Sequence, residues 1–117
     1  MQVRTETLDN GVVQVSLNGR LDILGAQAIE VQFTALTAIS KSAILVDLSE
    51  VTFLASLGMR TLLTTAKGTS MRGGRLALYR PQPQVREVLD TAGLSALIPV
   101  HDELEAAFEA LLENTGP

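Results

Sequence analysis

The chain has no cysteine, no tryptophan and a single histidine among its 117 residues. Without cysteine there is no disulfide, no thiolate nucleophile and none of the usual zinc or iron–sulfur ligand sets. One histidine cannot build a multi-histidine metal site, so no metal is expected, and His101 is left as the sole imidazole for acid–base chemistry. Aromatic residues make up 3% of the chain, three Phe and one Tyr, which leaves little for stacking nucleic-acid bases. Nine basic residues stand against thirteen acidic ones, for a net charge of -4, a balance that speaks against direct nucleic-acid binding. No run is long and apolar enough to span a bilayer, so no membrane insertion is expected. Met1-Gln2-Val3-Arg4-Thr5-Glu6 carries polar and charged groups where a signal peptide needs a basic start and an apolar run, and a cytoplasmic location is the expectation. What is present is an apolar content of 46%. At this length that supports one domain, residues 1–117, burying roughly two-thirds of its unfolded surface.

Residues 2–8 alternate weakly and end in Asp9-Asn10-Gly11, a tripeptide suited to positive-φ turn positions. Val13, Val15 and Leu17 then alternate with Gln14, Ser16 and Asn18, so a β-hairpin with one buried face is expected, broken at Gly19-Arg20-Leu21-Asp22. Residues 25–40 place Ile29, Phe33, Leu36 and Ile39 near helical spacing. Ala43-Ile44-Leu45-Val46-Asp47-Leu48 reads as a central strand buried on both faces, followed by a polar interruption at Ser49-Glu50. Val51, Phe53 and Leu54 lead into a helix with Leu57, Leu62, Leu63, Ala66 and Met71 inward, stopped by Arg72-Gly73-Gly74. Arg75–Tyr79 reads as another strand. Pro83 opens a helix with Val85, Val88, Leu89 and Ala92 inward, closed by Gly93. Leu97-Ile98-Pro99-Val100 reads as an edge strand. Asp102 caps a final helix through Leu112, with Leu104, Ala107, Phe108 and Leu111 inward, and the tail from about residue 114 frays. The order β-β-α-β-α-β-α-β-α implies an α/β fold with a mixed sheet covered by helices.

Few groups could carry chemistry. His101 has no Ser-His-Asp or Cys-His partners legible in the chain and reads as a solvated or helix-start histidine. Asp22 and Asp47 both follow strands; a carboxylate pair and simple turn or capping roles are both open. Arg72-Gly73-Gly74-Arg75 lacks the Gly-Lys-Ser/Thr of a phosphate loop and ends a helix instead of opening one. Arg60, Lys67, Arg72, Arg75, Arg80 and Arg86 gather six of the nine basic residues, while the final helix carries Asp102, Glu103, Glu105, Glu109 and Glu113. Basic side chains over the middle of the chain could meet an acidic partner or simply form a solvated surface. In Phe53-Leu54-Ala55-Ser56-Leu57-Gly58-Met59-Arg60 a hydroxyl sits at a helix entry between apolar residues. Ser56 there is either a helix N-cap or an accessible functional hydroxyl.

Several landmarks together resemble the STAS domains, whose single-domain members are the anti-sigma factor antagonists of bacteria. They are Gly19-Arg20-Leu21-Asp22 after a hairpin, Leu45-Val46-Asp47-Leu48, and Phe53-Leu54-Ala55-Ser56-Leu57-Gly58. Gly73-Gly74-Arg75-Leu76, Val85-Arg86-Glu87-Val88-Leu89 and Ala92-Gly93-Leu94 follow in the same order, so the resemblance spans nearly the whole chain. It implies the STAS fold, a mixed sheet of four to five strands with helices mainly on one face. It also implies a partner switch and no enzymatic activity or cofactor. The unphosphorylated antagonist, a monomer when free, binds a serine kinase of the histidine-kinase-like ATPase fold, often an anti-sigma factor, and releases that protein's client. Phosphorylation at the start of the helix after the third strand switches binding off, and a metal-dependent serine phosphatase restores it.

The family loop commonly reads Asp-Ser-Ser/Thr/Ala-Gly, and this chain has Ala55-Ser56-Leu57-Gly58. The resemblance therefore points to Ser56 as phosphoacceptor, with Leu57 at the second hydroxyl position and Ala55 at the acidic one. Partner contact is expected from Leu54, Ala55, Leu57, Gly58, Met59 and Arg60, joined by Asp22 from the loop that the family sets beside this helix. A phosphate adds about -1.5 to -2 charge; a helix N-terminus tolerates it, whereas an apolar docking surface does not. The alternative implied by Ala55 and Leu57 is a constitutive STAS scaffold subunit, for example of a lipid-transport ATPase, in which Ser56 is only a cap.

Overall fold

A computed structural model of the chain describes residues 1–38 and 41–112, the side chain of Thr37 excepted. Its hairpin closes where the turn residues predict. Gly11 adopts φ +89°, open to glycine, and the Asn10 side chain accepts from the Val12 N–H at 3.1 Å. This joins β1 (Gln2–Thr7) to β2 (Val13–Leu21) as an antiparallel pair. The remaining strands, β3 (Ala43–Leu54), β4 (Arg75–Tyr79) and β5 (Val100–His101), add in parallel to give a five-stranded mixed sheet in the order β1-β2-β3-β4-β5. Parallel neighbours require crossovers, supplied by α1 (Ile23–Thr37), α2 (Ser56–Met71) and α3 (Pro83–Thr91), the last followed by a short 3-10 turn at Leu94–Ala96. The chain ends, as described, in α4 (Leu104–Leu112).

The helices divide unequally between the two faces of the sheet. Val15, Leu17, Ile44, Val46, Leu48 and Leu78 face Ile29 and Phe33 of α1, Leu62 of α2, and Val85 and Leu89 of α3. On the other face Val12, Leu45 and Ala77 meet Ala107 and Leu111 of α4. Among the described residues three helices thus cover one face and one covers part of the other, as the STAS resemblance implies.

The departures from the sequence reading have local causes. β3 does not break at Ser49-Glu50. Its pairing with β2 shifts register twice, Ser16–Asn18 opposing Asp47–Glu50 and Gly19–Arg20 opposing Val51–Phe53. Each bulge adds one residue to β3, so Leu48, Val51 and Leu54 all point into the core at a spacing of three. The polar pair is the first bulge. For the same reason β2 runs on through Gly19, which takes φ +121° at the second shift. α1 starts at Ile23 rather than residue 25, and Ile39 lies outside the described residues, as does the tail from 114. Leu97 is exposed, and the last strand shrinks to Val100–His101. Asp102 does not cap α4: it pairs with Arg86 at 3.0 Å, while the Glu103 carbonyl accepts from the Ala107 N–H. Met71, Ala92 and Leu104 are exposed instead of inward.

The inner face of α2 is built from threonines as much as leucines. Thr61, Thr65 and Thr69 each donate to the carbonyl four residues earlier, at 3.0, 2.8 and 2.8 Å. That satisfies the hydroxyls of the buried Thr65 and Thr69 within their own helix and lets them face α1 or β4 as methyl-bearing side chains. Thr69→Val should therefore change stability by less than about 1 kcal/mol, because the accepting carbonyl keeps its helical N–H. Leu62→Ala, which empties a fully buried site, should cost about 2–5 kcal/mol. Urea unfolding of the two variants checks the contrast.

Candidate functional site

β2 and β3 end side by side. Leu21 pairs with Leu54, and the Ala55 N–H donates to the Leu21 carbonyl at 3.0 Å. One residue then separates each strand from its helix, Asp22 before α1 and Ala55 before α2. The two helices consequently leave from adjacent points with their N-termini together. Two glycines permit this closeness. A Cβ on Gly58 would lie 2.5 Å from the Leu21 carbonyl oxygen, and one on Gly25 would collide with the Arg20 carbonyl.

The two helix starts differ in charge. Asp22 accepts from the Gly25 N–H at 2.9 Å through its side chain and from the Ala26 N–H at 2.8 Å through its carbonyl, a full N-cap. The Gly25 N–H, helped by the nearby Arg20 guanidinium at 3.6 Å, holds the Asp22 carboxyl below its ordinary range. Arg20 in turn stacks 4.2 Å above the Phe53 ring. At α2 the cap position is Ala55, in extended backbone, and no side chain caps the helix. Ser56 is the first residue of α2, one place too late to act as the cap expected of it. It is exposed, and its hydroxyl has no partner among the described residues.

Around Ser56 the expected contact residues separate into two layers. Arg60 is exposed, and Asp22, Ala55, Leu57 and Met59 are half-buried. Leu54 belongs to the core and Gly58 packs on Leu21, so these two support the surface from beneath and do not face a partner. The sequence reading missed three exposed apolar side chains at the same end: Ile23 (59% exposed) and Leu24 (75%) in the first turn of α1, and Phe53 (40%). A signal existed, a capping Asp22 followed at once by two large apolar residues. Starting the helix at residue 25 hid it. A groove of about 380 Å³ runs between α1 and α2 from this end, lined by Gln27, Glu30, Thr34, Leu57, Arg60 and Thr64 among others.

The other candidates do not assemble. Asp47 sits in mid-β3, accepting from the Ser49 N–H at 2.9 Å, some seven residues and roughly 20 Å along the strand from Asp22. They form no carboxylate pair. His101 is half-buried on β5 with Nε2 unpartnered among the described residues, beside Phe108 and Glu109 and with no nucleophile at hand. Arg72-Gly73-Gly74 turns the chain out of α2, Gly73 at φ +80°.

The chain is similar to known proteins over most of its length. The STAS domain profile matches residues 3–107. BtrV of Bordetella bronchiseptica, named as a candidate anti-sigma factor antagonist, is 28% identical over 110 residues, 94% of each chain. The anti-sigma F factor antagonist of Paenibacillus polymyxa is 29% identical over 93 residues, 79% of this chain and 80% of that one. The crystal structure of an anti-sigma factor antagonist from Mycobacterium paratuberculosis superposes with a TM-score of 0.85 at 29% identity, covering 96% and 94% of the two chains.

Two outcomes are expected from this geometry. Gly58→Ala should destabilise the fold by about 1–3 kcal/mol, since the neighbour it meets is backbone; thermal or urea unfolding measures it. The Asp22 pKa is lower in the folded chain than its ordinary 3.8, so its stabilisation is complete above that pH and is lost as pH falls through the lowered value. Asp22→Ala should therefore lower the melting temperature at neutral pH, and the deficit should narrow below about pH 4.

Proposed function

The chain belongs to the STAS domain family, and from that premise we propose that it is an anti-sigma factor antagonist switched by phosphorylation of Ser56. The observation carrying this reading is the exposed Ser56 at the first position of α2, a helix with no side-chain cap, at the end of the sheet where Ile23 and Leu24 of α1 are also exposed. Its relatives from Paenibacillus and Mycobacterium bear the antagonist name. The partner is a serine kinase of the histidine-kinase-like ATPase fold that doubles as the anti-sigma factor, and binding it releases its client. The setting is cytoplasmic; among the described residues no helix is long and apolar enough to cross a membrane.

The chain acts as substrate and ligand, not as catalyst. In the kinase complex the Ser56 Oγ attacks the γ-phosphorus of ATP, the bond to the bridging oxygen breaks, ADP leaves, and a base of the kinase takes the hydroxyl proton. A metal-dependent serine phosphatase reverses the state by hydrolysis. The phosphate replaces a neutral hydroxyl by a group of about -1.5 to -2 charge. Within this chain it meets the unserved N–H groups at the start of α2, which favour an anion. Across the interface it meets the partner surface that packs on Leu57, Met59, Ile23 and Leu24, where burying a dianion is costly. The fold survives and the complex does not.

Incubation with the cognate kinase and ATP, followed by peptide mass spectrometry, should place a single phosphate on Ser56 and none on Ser56→Ala. Absence of phosphate from wild type would instead favour the constitutive scaffold. Ser56→Glu should weaken kinase binding while leaving the circular dichroism spectrum unchanged. A Ser56→Glu chain that unfolds would refute the claim that this helix start accommodates charge.

A further inference from the structure

In a chain of net charge -4, α2 carries no acidic residue, and its charged residues are Arg60 and Lys67. At 100° per residue Ser56, Arg60 and Lys67 fall within an arc of about 40° on its outer side. All three are exposed, and the buried Gly58, Leu62 and Thr69 lie opposite. Among the described residues Arg60 makes no ion pair or side-chain hydrogen bond. Glu30 of α1 lines the same groove without pairing with it. Arg20, at the same end of the sheet, is engaged by Asp22 at 3.6 Å and by the Phe53 ring. Ser56 and Arg60 stand one helical turn apart, a spacing that sets Cβ atoms about 5–6 Å from each other. Cα–Cβ bonds tilt towards the helix N-terminus, so a long side chain at residue 60 lies over the turn that Ser56 opens. An anion four residues before a cation is the favoured order of such a pair. Ala55 holds the cap position and the first turn of α2 is without acid, so no other anion of this helix competes for the guanidinium.

We propose that Arg60 is the clasp of the switch: a phosphate on Ser56 draws the Arg60 guanidinium onto itself and so takes a free cation away from the docking surface. This rests on the reading of Ser56 as phosphoacceptor and names what that phosphate touches. The planar guanidinium offers two parallel N–H donors to two phosphate oxygens, a charge-assisted pairing that the point charge of a lysine reproduces only in part. In the unphosphorylated chain the same side chain is free to meet an acidic group of the kinase. Phosphorylation then alters the surface twice, since about -1.5 to -2 charge arrives and one positive charge is neutralised. Asp22 at the start of α1 and Glu30 across the groove are the acidic groups on this side, and they raise the second pKa of the phosphate. Arg20 and Arg60 lower it. Lys67 lies about 16 Å further along the helix, beyond a Debye length at physiological salt.

Phosphoserine installed at position 56 during translation allows a test in which no kinase takes part. Failure of the clasp and failure of the phosphoacceptor reading are then separate results. A ³¹P NMR titration reads the second pKa of the phosphate, ordinarily about 6. It should lie about half a unit lower in the wild-type background than in Arg60→Gln. Arg60→Lys should keep part of that shift, and Lys67→Gln should keep all of it. The phosphate should also raise the melting temperature more in the wild-type background than in Arg60→Gln, with circular dichroism alike in every chain. Equal pKa values in the wild-type and Arg60→Gln backgrounds would overturn the proposal. An equal rise in Lys67→Gln would overturn it too, because the effect would then be a diffuse field and not a contact.

Discussion

The hydrogen bond from the Ala55 N–H to the Leu21 carbonyl is where the two halves of the site are joined. It extends the parallel pairing of β2 and β3 to their last residues, so that Asp22 and Ala55 are neighbours and α1 and α2 start side by side. Glycine at positions 25 and 58 is the condition for that closeness, because a Cβ at either would strike the backbone of β2. The placement of Ser56 and Leu57 at the same end of the sheet as the exposed start of α1 follows from it.

The second constraint is electrostatic. The two adjacent helix starts each present free N–H groups and a partial positive charge. Asp22 answers at α1 with a carboxylate held ionised by the Gly25 N–H and Arg20. Ala55 answers with nothing. The charge that family members commonly carry at that cap position is missing here, so the start of α2 offers an anion site with no negative neighbour of its own in the loop. A phosphate on Ser56 would compensate locally what Ala55 lacks, which directs the cost of modification onto the partner surface and away from the fold.

Much of this arrangement is legible in the chain, and the illegible parts have identifiable causes. The Asn10-Gly11 turn, the Pro83 helix start and the Gly73 stop are local backbone requirements, and each stands where the residues predict. The order of elements follows from them. β3 was harder to read because its bulges change the inward spacing from two to three at Leu48, Val51 and Leu54, and alternation alone reads that as an interruption. The buried threonines of α2 escape a hydrophobicity pattern because their hydroxyls are satisfied by their own helix. At the site, Ser56 and its neighbours were found through the family resemblance. Ile23 and Leu24 escape the pattern because the spacing of Ile29, Phe33 and Leu36 sets the helix start at residue 25, two residues into α1.

The central claim is that a phosphate on Ser56 acts on the complex. Isothermal titration of the cognate kinase with unphosphorylated and Ser56-phosphorylated chain, both shown to be folded, tests it most directly. Affinity should fall about a hundredfold or more on phosphorylation, the consequence of desolvating a dianion at the docking surface. Equal affinities for the two forms would contradict it.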